Sequence, residues 1–89
     1  RKGMIWMPMD KKDQLAELIS NAETSFYNGQ LQEAFSLSLS AIKLDENCAD
    51  AYQCAANVCM SLSRYEDAIE YYQKVQIYIM LITQIEMNL

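Results

Sequence analysis

The chain has 89 residues, a net charge of −5 and 52% hydrophobic residues, with two Gly, one Pro, three Cys and no His. That length bounds one small domain; the apolar content excludes a disordered tail, and the scarcity of turn residues excludes an all-β fold. The acidic balance leaves no basic face for phosphate, which argues against nucleic acid as a partner, and cysteines without C-x-x-C spacing or a histidine offer no zinc site.

Residues 1–12 read as an N-terminal arm or a cloning remnant. Arg1 and Lys2 precede the apolar run Met4-Ile5-Trp6-Met7-Pro8-Met9. The run is too short for a signal peptide and lacks a small-residue cleavage site. Trp6 suits an arm that packs on the fold, because an indole buries a large area when it finds a groove.

From residue 13 to residue 89 the chain reads as a single helical domain. Leu, Ala, Glu, Gln and Met are frequent, and all favour helix. Asp10 or Asp13 can cap a first helix running to about Asn28, with Leu15, Leu18, Ile19, Ala22 and Phe26 at helical spacing. Asn28-Gly29 ends it, since glycine takes the left-handed conformation without steric penalty. A second helix is expected over 31–44, with Leu31, Ala34, Phe35, Ser38, Leu39 and Ile42 on its inner side. Asp45-Glu46-Asn47 breaks the apolar period. A third helix is expected over 49–62, with Asp50 in its first turn, where a carboxylate favours the helix dipole. Ser63-Arg64 makes the next turn, and a fourth helix starts near Glu66. Connections this short make neighbouring helices antiparallel.

The second half of this pattern repeats the first at one fixed spacing. Arg64-Tyr65-Glu66-Asp67-Ala68-Ile69 stands 34 residues after Gln30-Leu31-Gln32-Glu33-Ala34-Phe35. In that register Ala56 answers Ala22, Ser63 answers Gly29 and Ala68 answers Ala34. A self-match of this kind is the signature of stacked supersecondary units. Ala22, Ala34, Ala56 and Ala68 fall where helices cross, because a methyl side chain lets two axes come close. Tyr52, Tyr65, Ile69 and Tyr72 are then expected to fill the space between hairpins.

Two helical hairpins repeating every 34 residues resemble the tetratricopeptide repeat family, over about 15–48 and 49–82. The second repeat carries the pattern as Tyr52, Ala55-Ala56, Cys59, Ala68 and Tyr72. The first carries it as Leu18, Asn21-Ala22, Ser25, Ala34, Ser38 and Ala41. Asn21, Ser25 and Ser38 are smaller or more polar than the family's usual residues. The family's proline is replaced by Glu46 and Met80. The resemblance implies an all-α fold of tandem antiparallel helix hairpins, a fragment of a right-handed α-solenoid.

Catalysis finds little support in the residues. Without histidine there is no ordinary general base near neutral pH, and nothing to activate Cys48, Cys54 or Cys59. Cys54 and Cys59 read as small buried hydrophobes, and Cys48 as a loop residue. No glycine-rich phosphate loop is present. The chain is expected not to be an enzyme and to need no cofactor or metal. Reduced thiols suit an intracellular, cytoplasmic setting.

A binding role remains. In the family, the first helix of each hairpin lines a concave groove for a peptide or partner helix. Carried onto this chain, the groove residues are Ile19, Glu23, Phe26 and Tyr27, with Asp50, Gln53, Asn57 and Met60. The resemblance also implies that Asn57 bonds the backbone of a bound segment, which suits an amide that both donates and accepts. One branch of the family clamps the acidic tails of chaperones with cationic side chains. The matching positions here hold Ile19, Glu23, Cys54 and Gln84, and none is cationic. A protein or peptide of basic or amphipathic character is therefore the expected partner of a scaffold or adaptor module.

The C-terminal run Ile77-Tyr78-Ile79-Met80-Leu81-Ile82 contains no helix breaker. Either the fourth helix continues past the domain, or the chain turns near Gln76 and a short fifth helix folds back as a cap. In the first case Ile77, Tyr78, Met80, Leu81 and Ile85 form an apolar stripe too large for two hairpins to cover, which marks an interface. A homodimer, or docking to another subunit, is then expected through residues 77–89. Six apolar residues are far fewer than the roughly 20 of a membrane span.

Overall fold

Asp10 opens the first helix: its Oδ1 accepts the Asp13 amide at 2.9 Å. Its side chain thus satisfies a backbone donor that has no partner within the helix. The computed structural model describes the backbone of residues 10–87 and the side chains of residues 10–84, so Trp6 and the rest of the arm lie outside the described residues. Four helices follow: α1 Lys11–Tyr27, α2 Leu31–Leu44, α3 Ala49–Ser61 and α4 Tyr65–Met87. Helix α1 begins two residues before the expected start. The described residues contain no strand. Packing runs α1 on α2, α2 on α3 and α3 on α4, with α1 also touching α3. The architecture is all-α, two helix hairpins set side by side.

The turns inside the two hairpins are built alike. At the end of α1, the Gln30 amide donates to the Ser25 carbonyl at 2.8 Å and the Gly29 amide to the Phe26 carbonyl at 3.1 Å. At the end of α3, the Arg64 amide donates to the Cys59 carbonyl at 2.8 Å and the Ser63 amide to the Met60 carbonyl at 3.2 Å. Both turns are Schellman caps, which satisfy the last carbonyls of a helix. Each needs a left-handed residue, and Gly29 (φ 82°) and Ser63 (φ 63°) supply it 34 positions apart.

The core is made of small residues. Ala22, Ala34, Ala41, Ala51, Ala55, Ala56 and Ala68 are fully buried, and the largest fully buried side chains are Val58, Cys59 and Ser38. The four alanines expected at helix crossings are among them. Cys54 and Cys59 are buried, and Cys48 sits at the N-terminus of α3, half-buried.

Three positions correct the sequence reading. Leu39, expected on the inner side of α2, is exposed. The buried stripe of α2 is Ala34, Ser38 and Ala41, and Leu39 lies about 100° around the helix from Ser38. Tyr65 and Ile69 do not fill the space between hairpins, since each is 55% exposed. Ile69 stands one residue past buried Ala68 and is turned away by the same rotation.

Helix α4 continues without a break to Met87, so no turn forms near Gln76. Its 23 residues span about 35 Å, against about 20 Å for the 13 residues of α3, at ~1.5 Å per residue. The distal half outruns its neighbour. One point ties that half back to the domain. The Tyr78 hydroxyl donates to the Glu46 carbonyl at 2.8 Å, and the Tyr52 hydroxyl donates to the same oxygen at 2.9 Å. The two rings lie 5.9 Å apart. The Asn47 amide donates to Asp45 Oδ1 at 2.9 Å, which fixes the α2–α3 loop beneath them.

Candidate functional site

Helices α1 and α3 lie next to each other on one side of the molecule and enclose a cleft of about 310 Å³. This volume is at the small end of the roughly 300–1,000 Å³ typical of ligand sites. Ile19, Glu23, Phe26 and Tyr27 line it from α1. Asp50, Gln53, Cys54 and Asn57 line it from α3. Each set recurs at three- and four-residue intervals, so one face of each helix supplies it.

The cleft has an apolar floor and an acidic rim. Ile19 and Phe26 are half-buried and Cys54 is buried. Phe26 meets Tyr27 edge to face at 5.6 Å, and Tyr27, 82% exposed, forms an outer wall. Glu23 and Asp50 are the only charged side chains in the lining, and both are exposed. Burial pushes the Cys54 thiol above its ordinary value; the Ser38 hydroxyl opposes that shift and the Glu23 charge adds to it. A thiol held in its protonated form is a poor nucleophile.

Asn57 is half-buried and already engaged. Its Oδ1 accepts the Tyr72 hydroxyl from α4 at 2.6 Å and Gln53 Nε2 at 3.4 Å.

Seven of the eight groove residues read from the sequence lie together in this cleft, while Met60 is exposed and outside its lining. Cys54 joins them. It falls on the face of α3 that carries Asp50, Gln53 and Asn57, three residues before Asn57. Tyr72 is a contributor no local pattern announces, because its hydroxyl crosses from the neighbouring helix.

The stripe expected on distal α4 divides. Ile77, Met80 and Leu81 are exposed, as are Ile79 and Ile82. Tyr78 is half-buried and turned back onto the α2–α3 loop. The Ile85 side chain lies outside the described residues. Ile79 and Met80 also border a shallow hollow with Tyr72, Val75 and Gln76.

Among the described residues, no group of three or more His, Cys, Asp or Glu side chains could hold a metal ion, and no helix is long and apolar enough to cross a membrane. No family model matches the chain, and neither a curated protein nor a solved structure does.

Proposed function

We propose that the domain is a protein-interaction module of the tetratricopeptide-repeat kind, whose α1–α3 cleft holds an extended basic or amphipathic segment of a partner protein. The observation that carries this reading is the cleft itself: first helices of two hairpins converge on an apolar floor whose charged neighbours are both carboxylates. Complementary charge guides encounter and excludes acidic competitors. The pair of Schellman turns 34 residues apart supports the repeat assignment. A role as a scaffold or adaptor inside the cell, acting by binding rather than catalysis, follows from the same reading.

The test is a fluorescence-anisotropy titration with labelled peptides that alternate basic and apolar residues, against matched acidic peptides. The basic set should bind, more weakly as salt rises. Glu23→Lys should reduce that affinity while the thermal melt stays close to the parent's, since the side chain is exposed; Asp50→Lys should reduce it too, with a small loss of stability because a cation replaces a carboxylate in the first turn of α3. Equal binding of basic and acidic peptides would refute the reading.

A second reading rests on distal α4. Ile77, Ile79, Met80, Leu81 and Ile82 are each more than half exposed, and exposed apolar surface of this kind marks association sites. In this reading the helix docks on a second copy or another subunit. Sedimentation over a concentration series should then show a mass increase that Met80→Glu with Leu81→Glu abolishes. A constant monomer mass would remove the homodimer.

A further inference from the structure

Residues 1–9 of this chain have the character that the cleft selects. Arg1 and Lys2 are their only charged side chains, and the apolar run Met4-Ile5-Trp6-Met7-Pro8-Met9 follows. The cleft carries the complementary pattern: Glu23 and Asp50 are its only charged side chains, above a floor of Ile19, Phe26 and Cys54. Basic residues therefore have carboxylates to meet, and apolar residues have the floor. Pro8 suits an extended segment, because the residue before a proline is driven out of the helical region. The lengths agree as well. Each short connection reverses the chain, so α1 and α3 run the same way, and the segment joins α1 at Asp10, at the end where both helices start. Along α1, at ~1.5 Å per residue, Ile19 stands about 14 Å beyond Asp10 and Glu23 about 20 Å. In an extended chain, at ~3.3 Å per residue, Trp6 reaches about 13 Å from Asp10 and Lys2 about 26 Å. A segment folded back at Asp10 and laid along the cleft brings Trp6 to the level of Ile19. It carries Lys2 as far as Glu23, with length left for the reversal.

Building on the peptide-binding reading above, we propose that the α1–α3 cleft is occupied by the chain's own residues 1–9, which a partner segment must displace. A tether this short holds the segment at an effective concentration in the millimolar range, so a contact of modest intrinsic strength fills the cleft. A segment from a second copy would lack that advantage and would lose translational and rotational freedom on docking. The partner then meets only the fraction of molecules whose cleft is open, and its apparent affinity falls by that fraction. The segment thus acts as a filter: a partner must match the cleft better than the chain's own basic and apolar residues do.

Trp6 is the only tryptophan in the chain, so its fluorescence reports on this segment alone. In the full chain its emission should be blue-shifted, and its quenching by acrylamide weaker, relative to a synthetic peptide of residues 1–9. Glu23→Lys should return both towards the peptide's values. Glu17→Lys makes the same charge change on another face of α1, beside Gln14, Leu18 and Asn21, and should leave both as in the parent. Equal effects of the two variants, or a parent Trp6 as open to acrylamide as the free peptide, overturn the proposal. Protection that grows with protein concentration also overturns it, by assigning the segment to a second copy. Lys2→Ser with Trp6→Ser should open the cleft, and the labelled basic peptides of the anisotropy titration should then bind about threefold to tenfold more tightly than to the parent. Unchanged affinity overturns the proposal and leaves the peptide-binding reading intact. Failure of every basic peptide on both proteins removes the peptide-binding reading, while Trp6 protection that Glu23→Lys abolishes still supports the docked segment.

Discussion

The α1/α2 and α3/α4 hairpins reach the same backbone geometry with different side chains. Their capping turns repeat bond for bond, yet one uses Gly29 and the other Ser63 at the left-handed position. Their crossings differ more. In the first hairpin buried hydroxyls find partners: Ser25 Oγ donates to Glu33 Oε2 at 2.8 Å, and Ser38 Oγ donates to the Ala34 carbonyl at 2.8 Å. In the second, the matching positions are Cys59 and Tyr72. Cys59 is fully buried, and Tyr72 sends its hydroxyl away to Asn57. The burial is unequal too. Helix α1 buries only Ala22 and Ser25, whereas α3 buries Ala51, Tyr52, Cys54, Ala55, Ala56, Val58 and Cys59. Helix α3 has neighbours on three sides, and α1 is an outer element. The spacing of a repeat fixes the frame, and position within the stack decides how much apolar surface each copy needs.

The shared part of the comparison is broken most strongly at the alanine crossings. Ala34→Leu and Ala68→Leu each add three carbons at a site with no exposed surface, and each should destabilise by about 1–3 kcal/mol through overpacking. In a domain this size that lowers Tm by roughly 4–8 °C per kcal/mol. Melts equal to the parent's would refute these crossings.

The next largest effect is expected at the first turn. A Cβ added to Gly29 meets nothing within 4 Å, so Gly29→Ala carries only the backbone strain of φ 82°. That strain costs about 1–2 kcal/mol for an L-residue. A urea midpoint unchanged from the parent's would show that the turn relaxes to another geometry.

Ser25→Ala should be milder, about 0.5–1.5 kcal/mol, since it removes one hydrogen bond between the ends of α1 and α2. Cys59→Ala, at the matched site, removes no such bond and should instead show the loss of a small buried side chain. Making the Ser25→Ala change in a Glu33→Ala background, which removes the acceptor, should separate the bond from the cavity. If the two changes add independently, the bond contributes nothing.

The smallest effect has the opposite sign. Ser63→Gly should raise stability by about 0.5–1 kcal/mol, because glycine relieves the left-handed strain while adding some freedom to the unfolded chain. A lower Tm would mean that the Ser63 side chain contributes to the folded state more than its backbone strain takes away.

The sequence by itself determined the local frame of this protein. Apolar residues at helical spacing mark four helices, Gly29 and the polar Asp45-Glu46-Asn47 stretch end two of them, and the 34-residue register aligns four alanines that the fold buries completely. The groove residues came from the family resemblance rather than from the periodicity, and seven of the eight meet in one cleft because each helix turns one face outward from the face it buries. Tertiary structure alone decided which flanking residues stay open and where long side chains end. Leu39 and Ile69 each follow a buried residue and are turned about 100° from it, and Tyr65 opens α4 between two exposed residues; that these faces stay uncovered was decided by how the helices dock. Tyr72 reaches Asn57 across 15 positions, and Tyr78 reaches the Glu46 carbonyl across 32. A hydroxyl at the tip of an aromatic ring finds its partner only after whole helices are docked. No spacing rule in the chain records that distance, because it is set by the angle and length of α4 rather than by any local pattern.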